Sequence, residues 1–339
     1  MLGRITAVLL LVAAPAIAQP FQVVTGAGSA SPHVKSFDHG GLSQSFFACD
    51  PSFGGGVRVA AGDVNGDGWP DIITGPGAGG GPQVNTFSGT DLTVLKSFFA
   101  YDPSFTGGIY VAAGDINHDG IADIVTGPDA GGSPLVKVFS STDGSTLHSF
   151  FAYSPTFTGG VRVAAGDVNG DGWSDIVSGP GPGAGPQIQV FSGKDLSVLR
   201  SFFAYDSSFT GGVYVAAGDV NHDGIADIVT GPGAGAGPHV KVFSGADGSE
   251  IRSVFAYDLA MKGGVRVAAG DVNGDGWADI VTAPGAGYAP DVRVYSGKDL
   301  SLLSSFFAYD STFTGGVYVA AIPEPGSPRL CWPCQSACS

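Results

Sequence analysis

Charged residues are scarce in this chain, and basic residues are the scarcest. Only 13% of its 339 residues are charged, and 15 Lys and Arg stand against 30 Asp and Glu. The formal net charge is −15, and no basic cluster interrupts it. These numbers argue against binding to nucleic acid or to an anionic lipid surface, because both need concentrated positive charge. We therefore expect no nucleic-acid partner.

Helical periodicity is also missing, and the chain has one apolar run of any length. Arg4 precedes the apolar run 5–14, and Ala16-Ile17-Ala18 has the small-x-small form of a signal-peptidase site. Because this run is too short to span a bilayer, we interpret 1–18 as a signal peptide and Gln19 as the first mature residue. No later segment is apolar for long enough to cross a membrane. The expected location is secreted, periplasmic or cell-surface.

An acidic motif recurs through most of what remains. The run "GDVNGDGWPDI" (62–72) contains the pattern D-x-N-x-D-G-x-x-D, which recurs at a constant step of 52 residues; its five copies start at Asp63, Asp115, Asp167, Asp219 and Asp271. Odd copies read "VRVAAGDVNGDGW" and even copies "VYVAAGD[IV]NHDGI". A pair of consecutive copies, 104 residues long, is therefore an alternative repeating unit. Half of the 30 acidic residues, three Asp in each of five motifs, lie in these loops. A fixed period favours a single repeat domain.

Each repeat predicts four short strands separated by turns rich in Gly, Pro and Asp. In one unit these strands are expected in 159–168, 174–180, 186–193 and 199–206. Neighbouring Phe202 and Phe203 must point to opposite faces of the last strand, because side chains alternate along a strand. We therefore expect another sheet to pack against each face of this strand. Sheets of four strands stacked on like sheets are the blades of a β-propeller.

The number of strands at the two ends predicts how the ring closes. Three strands precede the first full unit, and the segment 315–321 matches only a first strand. Together they complete one blade, which removes exposed sheet edges. The prediction is an all-β, six-bladed β-propeller of four-stranded blades, with the last blade closed by both termini. The alternatives are seven blades or an open repeat array.

Domain boundaries follow from this count. The expected propeller covers 19–321, with repeat units starting near 55, 107, 159, 211, 263 and 315, and a Cys-containing tail occupies 322–339. We expect a monomer.

The recurrent loop has the composition of a calcium site. Calcium takes six to eight oxygen ligands, which a loop can supply from alternate positions. Asp63, Asn65 and Asp67 have that alternation, Gly68 permits a bend with positive φ, and Asp71 closes the loop. A helical calcium hand would need flanking helices and a Glu at position twelve, and both are missing. Oxygen-only ligands favour Ca²⁺ over zinc or copper, so we predict about five Ca²⁺ sites.

The segment "FTGGVRVAAGDVNGDGWSDIVSGPG" (157–181) resembles the FG-GAP repeat, also grouped with VCBS-type repeats, of integrin α-subunit heads and many exported bacterial proteins. The resemblance implies propeller blades whose first and second strands are joined by a calcium loop. By position, the implied ligands are Asp63, Asn65, Asp67, Asp71, Asp115, Asn117, Asp119, Asp123, Asp167, Asn169, Asp171, Asp175, Asp219, Asn221, Asp223, Asp227, Asp271, Asn273, Asp275 and Asp279. Integrin heads have seven blades and this chain predicts six, so integrin-type ligand recognition is not implied.

The expected function is a binding or adhesion module for an extracellular protein or glycan, with calcium in a structural role. The alternative is a polysaccharide-active lyase or hydrolase on a propeller scaffold. A catalytic site should break the repeat, and the residues that do so are Asp38, Asp129, Glu250, Asp291, Glu324, His39 and His148. They form no recognisable catalytic pair, so we expect no catalytic residues; their convergence in one pocket would favour an enzyme.

Arginine and tyrosine alternate at one point of the first strand, which is innermost in a propeller. The residues are Arg58, Tyr110, Arg162, Tyr214, Arg266 and Tyr318. A ring of this kind could catch an anion in the channel. The preferred interpretation is packing against Asp or carbonyl groups of neighbouring blades.

The four cysteines are Cys49, Cys331, Cys334 and Cys338, and Cys49 replaces the tyrosine of the "FFAYD" run. In an exported protein disulfides are the favoured interpretation, and four cysteines allow three pairings; a redox or zinc role is the alternative. "PEP" at 323–325 resembles a PEP-CTERM sorting signal, but the apolar helix that should follow is missing.

Overall fold

The computed structural model describes residues 23–322, which form 24 strands and no helix. The chain enters with three strands, β1 (Val23–Ala27), β2 (His33–Asp38) and β3 (Gly41–Phe47). Five sets of four strands follow, and a single strand, β24 (Val317–Ala321), ends the described part. No helix in 23–322 is long and apolar enough to cross a membrane. The predicted signal peptide (1–18) and the tail with Cys331, Cys334, Cys338 and "PEP" lie outside the described residues.

The five sets of four strands are the blades expected from the repeat. Blade 1 is β4 (Val57–Gly62), β5 (Asp71–Pro76), β6 (Gln83–Phe87) and β7 (Val94–Phe99). Blade 2 is β8 (Ile109–Gly114), β9 (Asp123–Pro128), β10 (Leu135–Phe139) and β11 (Thr146–Phe151). Blade 3 is β12 (Val161–Gly166), β13 (Asp175–Pro180), β14 (Gln187–Phe191) and β15 (Val198–Phe203). Blade 4 is β16 (Val213–Gly218), β17 (Asp227–Pro232), β18 (His239–Phe243) and β19 (Glu250–Phe255). Blade 5 is β20 (Val265–Gly270), β21 (Asp279–Pro284), β22 (Asp291–Tyr295) and β23 (Leu302–Phe307).

Blade 6 is made from both ends of the described chain, in the order β24-β1-β2-β3. Strand β24 pairs antiparallel with β1, placing Val319 opposite Thr25 and Ala321 opposite Val23. The first strands of all six blades contact one another in a closed ring. The predicted six-bladed propeller and its closure by 315–321 are therefore confirmed, and the seven-bladed and open-array alternatives are wrong.

Burial falls from the centre of the ring to its circumference. Strands β4 and β5 are buried almost throughout, whereas β7 contains only exposed and half-buried residues. The inner strands end in Ala-Ala-Gly because the space narrows there. A Cβ on Gly62 would lie 2.8 Å from the Cβ of Ala113 in the next blade, closer than side chains approach. Small residues thus allow six sheets to meet around one axis.

One expectation about the fourth strand is wrong. Phe202 packs tilted against Phe243 of the next blade with ring centroids 4.7 Å apart, but Phe203 is 53% exposed. The equivalent second phenylalanines of the other blades are similarly exposed, from 45% at Phe47 to 55% at Phe307. The outer strand is covered on one face only, because blades diverge towards the circumference.

Candidate functional site

The five acidic loops lie at one end of the propeller, each between the first and second strands of a blade. The loop that begins at Asp63 joins β4 to β5, and the other four occupy equivalent positions in blades 2 to 5. Blade 6 has no such loop, because its first and second strands come from opposite ends of the chain. We call this end of the ring the loop rim.

Backbone amides hold the carboxylates of each loop in place. The two oxygens of Asp63, Oδ1 and Oδ2, accept hydrogen bonds from Gly66 N at 2.7 Å and Gly68 N at 2.9 Å. Asn65 Oδ1 accepts from Asp67 N at 2.8 Å. The backbone at Gly68 has φ +87°, so the bend expected from sequence is present and suits glycine. Each of these oxygens keeps a second lone pair for another partner.

The last aspartate of each motif is buried and ties the loop to the rest of its blade. Asp71 Oδ2 accepts from Val64 N at 3.0 Å, and its Oδ1 accepts from Gly89 N, just after β6, at 3.1 Å. Burial above all raises the pKa of the Asp71 carboxyl to about 6, and the charges of Asp67 and Asp63 add to the rise. The pKa is raised to about 6 for the same reason at the other four equivalents, Asp123, Asp175, Asp227 and Asp279.

The donor set of the loops fits a hard cation, since it consists of carboxylate, amide and carbonyl oxygens. The side chains within 23–322 do not, however, form any preformed cluster of three His, Cys, Asp or Glu ligands. The Asn65 amide also donates from Nδ2 to Asp67 Oδ2 at 2.9 Å. The Asn65 amide therefore contacts Asp67 through both its oxygen and its nitrogen. The predicted metal ligands thus lie together in each loop, and their role stays a prediction.

Neighbouring loops on the rim contact each other through histidine, a feature that sequence reasoning missed. His118 Nδ1 lies 2.6 Å from Gly172 O, and its ring stacks on Trp173 with centroids 5.5 Å apart. His222 repeats the arrangement on Trp277. In the sequence, this contact is indicated by the alternation of His-containing and Trp-containing loops. It explains the 104-residue period, because a His loop is always followed by a Trp loop.

The alternating arginines and tyrosines fill the centre of the ring. The three tyrosines stand edge-on to one another, with Tyr110 and Tyr318 centroids 6.2 Å apart, and each arginine lies over a tyrosine ring, as Arg162 does over Tyr214 at 3.8 Å. Arg58 pairs with Asp129 of blade 2, and Arg162 donates from Nη1 to Pro180 O at 3.3 Å. These contacts are the packing against Asp and carbonyl groups that we preferred, from the sequence, over an anion-binding ring.

The residues that break the repeat lie in different blades. Asp38 and His39 contact each other in blade 6, and Glu250 and Asp291 pair with Lys241 in blade 4 and Arg293 in blade 5. Asp129 pairs with Arg58, and His148 Nε2 lies 2.8 Å from Gly193 O. Glu324 lies outside the described residues. These six described side chains do not converge on one pocket.

The end of the ring opposite the loop rim carries the glycine-rich segments and the connections between blades. We call it the connection rim. Gly79 N donates to Thr106 O at 2.8 Å, and the same bond recurs from Gly183 to Thr210. Residues such as Ala78, Pro103 and Thr106 are exposed there. The backbone bonds order the rim while leaving its side chains open to solvent.

Comparison with known proteins agrees with this architecture. A family model described as "FG-GAP repeat" matches residues 55–90 and 263–298, the first parts of blades 1 and 5. These two segments match the FG-GAP repeat. Integrin alpha-8 of Gallus gallus is 27% identical over 215 residues, which are 53% of this chain and 20% of that protein. Integrin alpha-V of Gallus gallus is 26% identical over 152 residues, 40% of this chain and 15% of that protein.

The matches to these integrin chains therefore span at most about a fifth of the relatives' length. Among solved structures, a protein of unknown function from Bacteroides caccae superposes with a TM-score of 0.57 at 12% identity. The superposition covers 89% of this chain and 99% of the other. This likeness concerns the fold alone.

Proposed function

We propose that this FG-GAP propeller is an exported binding module for an extracellular protein or glycan, and that it binds without catalysing a reaction. The observation that carries the proposal is the FG-GAP match at 55–90 and 263–298 within a closed propeller. The integrin α-chains that it resembles are extracellular and cell-surface proteins. A rigid ring with two ordered rims suits recognition of a macromolecule.

Calcium is proposed as a structural ion in the loops of blades 1 to 5. Its ligands would be the first, third, fifth and ninth residues of each motif, Asp63, Asn65, Asp67 and Asp71 in the first copy. The oxygen-only donor set and the bonds that orient the carboxylates support this assignment. When bound, Ca²⁺ would neutralise carboxylates that otherwise repel one another at the loop rim.

The partner is proposed to bind at the connection rim. The loop rim is committed to holding acidic side chains, whereas the connection rim consists of irregular segments free to vary without disturbing blade cores. Exposed side chains there, such as Pro103 and Thr106, lie on ordered backbone.

The test is a glycan and matrix-protein binding screen on the mature chain, with calcium and with chelator. The double variant Pro103→Glu/Thr106→Glu should abolish binding to any partner found, while circular dichroism and melting stay unchanged. The matched control is Lys194→Glu, an exposed change on the loop rim, which should bind normally. Loss of binding in Lys194→Glu alone would place the partner on the loop rim instead.

A further inference from the structure

A tyrosine after the last strand of a blade closes the cleft to the next blade at five of the six junctions. Its hydroxyl donates to the main-chain oxygen of the first residue of the next blade's third strand. The pairs are Tyr101 to Leu135 at 2.8 Å, Tyr153 to Gln187 at 2.8 Å, Tyr205 to His239 at 2.9 Å, Tyr257 to Asp291 at 2.8 Å and Tyr309 to His33 at 2.8 Å.

Each of these clefts is built to hold a phenol ring. At the first junction the Tyr101 hydroxyl oxygen also lies 3.0 Å from Thr126 O, so its one hydrogen is shared between two carbonyl oxygens, and Phe105 stands edge-on to its ring with centroids 6.4 Å apart. Lys137 Nζ lies 5.1 Å from the ring centroid. Burial raises the pKa of the Tyr101 phenol, so the hydroxyl stays protonated as a donor. The cleft thus offers carbonyl acceptors at its base and an aromatic wall.

At the sixth junction, between blades 6 and 1, Cys49 stands where the tyrosine would be. A cavity of about 400 Å³ opens there, within the roughly 300–1,000 Å³ of small-molecule sites. Its lining includes Cys49, Phe53, Thr74, Gln83 and Asn85. The thiol is far shorter than a phenol side chain and leaves the cleft open.

The groups that hold Tyr101 have counterparts in this open cleft, 52 residues earlier in the chain. Thr74 corresponds to Thr126, Gln83 to Leu135 and Phe53 to Phe105. Thr74 is buried, and its hydroxyl donates to Asn85 O at 3.2 Å. The Thr126 hydroxyl makes the equivalent bond to Lys137 O at 3.3 Å. The cleft therefore retains a threonine, a third-strand residue and a phenylalanine at the positions that surround Tyr101, and lacks the phenol.

Cys49 itself is compatible with a neutral aromatic ligand. Burial, and then the charge of Asp50, raise the pKa of its thiol, so the group is uncharged at neutral pH. In place of Lys137 this cleft has Asn85, whose Nδ2 donates to Ala48 O at 3.2 Å. Apart from Asp50, the residues that line the cavity are uncharged, and Thr74, Gln83 and Asn85 supply its polar groups.

We propose that the cleft at Cys49 binds a phenolic group from outside the chain, with its hydroxyl donating to the Gln83 main-chain oxygen and its ring against Phe53. The group comes either from a free small phenol or from a tyrosine side chain on a polypeptide. This site is independent of calcium and involves no covalent step. It opens on the connection rim, where Pro103 belongs to its lining.

The test is calorimetric titration of the full chain, kept reduced, with phenol, with N-acetyl-tyrosinamide and with benzene. Phenol should bind at one site per chain, and benzene at least tenfold more weakly because it has no hydroxyl. Comparable binding by N-acetyl-tyrosinamide identifies a polypeptide source; binding of phenol alone identifies a free small molecule. Equal affinity for phenol and benzene would overturn the proposed hydrogen bond.

Two variants locate the site. Cys49→Tyr should abolish phenol binding and raise the melting temperature, because its own ring fills the cleft. Cys49→Ala is the matched control and should bind phenol within about threefold of the parent chain. Tyr101→Cys opens an equivalent cleft and should raise the stoichiometry from one to two. Phenol binding that persists in Cys49→Tyr, or no binding to the parent chain, would overturn the proposal, whether or not Tyr101→Cys folds.

Discussion

The hydroxyl of Tyr205, at the end of blade 3, donates a hydrogen bond of 2.9 Å to the main-chain oxygen of His239 in blade 4. The bond joins two blades that have no strand pairing between them. Since apolar packing between blades has little directionality, this bond contributes to the angle at which one blade meets the next.

The first prediction concerns this bond. Tyr205→Phe should lower the free energy of unfolding by about 1–2 kcal/mol, because it removes the donor to the half-buried His239 carbonyl. Urea denaturation measures the change. Phe203→Leu, on the exposed outer face nearby, is the control and should change stability by less than about 0.5 kcal/mol. Equal effects in the two variants would contradict a structural role for the hydroxyl.

The second prediction concerns calcium. With dissociation constants of roughly 10⁻⁴ to 10⁻³ M, typical of extracellular modules, each site would add about 0.4–1.4 kcal/mol at about 1 mM free calcium. Five independent sites would add about 2–7 kcal/mol, a large share of a total of roughly 5–15 kcal/mol. Chelation should lower the melting temperature by many degrees, and excess calcium should restore it. An unchanged melting temperature in calorimetry would mean that the loops are acidic turns.

The third prediction is a pH dependence in calcium-free protein. Because the pKa of Asp71 rises from 3.8 to about 6 on folding, the folded state holds its proton where the unfolded state has lost it. Its contribution to stability is complete below about pH 4 and is lost as the pH rises through about 6. The exposed Asp102 has a pKa lowered by hydrogen bonds from Ser104, so it titrates below this window.

The measurement is the difference in the free energy of unfolding between the parent chain and Asp71→Asn, taken from pH 4 to 7. This difference removes the contribution of His33, which both chains share. The lowered pKa of His33 makes the folded state more stable as the pH rises, opposite to the effect of Asp71. The parent chain should lose stability relative to the variant as pH rises without calcium. Saturating calcium should remove the trend, since it favours the ionised carboxylate. A flat difference curve in metal-free protein would refute the prediction.

The fourth prediction concerns the central arginines. Within residues 23–322, Arg162 has carbonyl and tyrosine partners but no ion pair with a carboxylate. Arg162→Met should therefore change stability little, since a buried guanidinium is expensive to desolvate. Arg58→Met leaves Asp129 without its partner and should be less stable than Arg162→Met by about 1–2 kcal/mol. Denaturation of the two variants, matched by position in blades 1 and 3, measures the difference. The reverse order would show that the Arg58–Asp129 pair does not stabilise the ring.

The fifth prediction concerns closure of the ring. A chain that ends at Gly316 lacks β24 and exposes the edge of β1, so it should aggregate or melt at least 10 °C lower than the parent chain. The matched control ends at Ile322 and retains all 24 described strands. Size-exclusion chromatography and thermal melting compare the two. Equal melting temperatures would show that blade 6 does not need its inner strand.

The repeat itself determined most of the fold. Five acidic loops at a step of 52 residues, together with three strands before and one after the full units, were sufficient to predict six blades and the pairing of β24 with β1. This works because every blade uses the same local pattern and a ring leaves one way to pair the remaining edges. The positions of the loop residues could be predicted for the same reason, since one short segment supplies all of them and their placement needs no long-range information.

Tertiary structure alone decided what happens between repeats. The exposure of Phe203, the stacking of His118 on Trp173 and the open cleft at Cys49 all depend on how far apart neighbouring blades lie. Within one repeat, a cysteine in place of tyrosine is a local substitution. Only the packed ring shows that the tyrosine after each of blades 1 to 5 closes the cleft to the next blade, because the partners of its hydroxyl and its ring lie across a junction that no local pattern encodes.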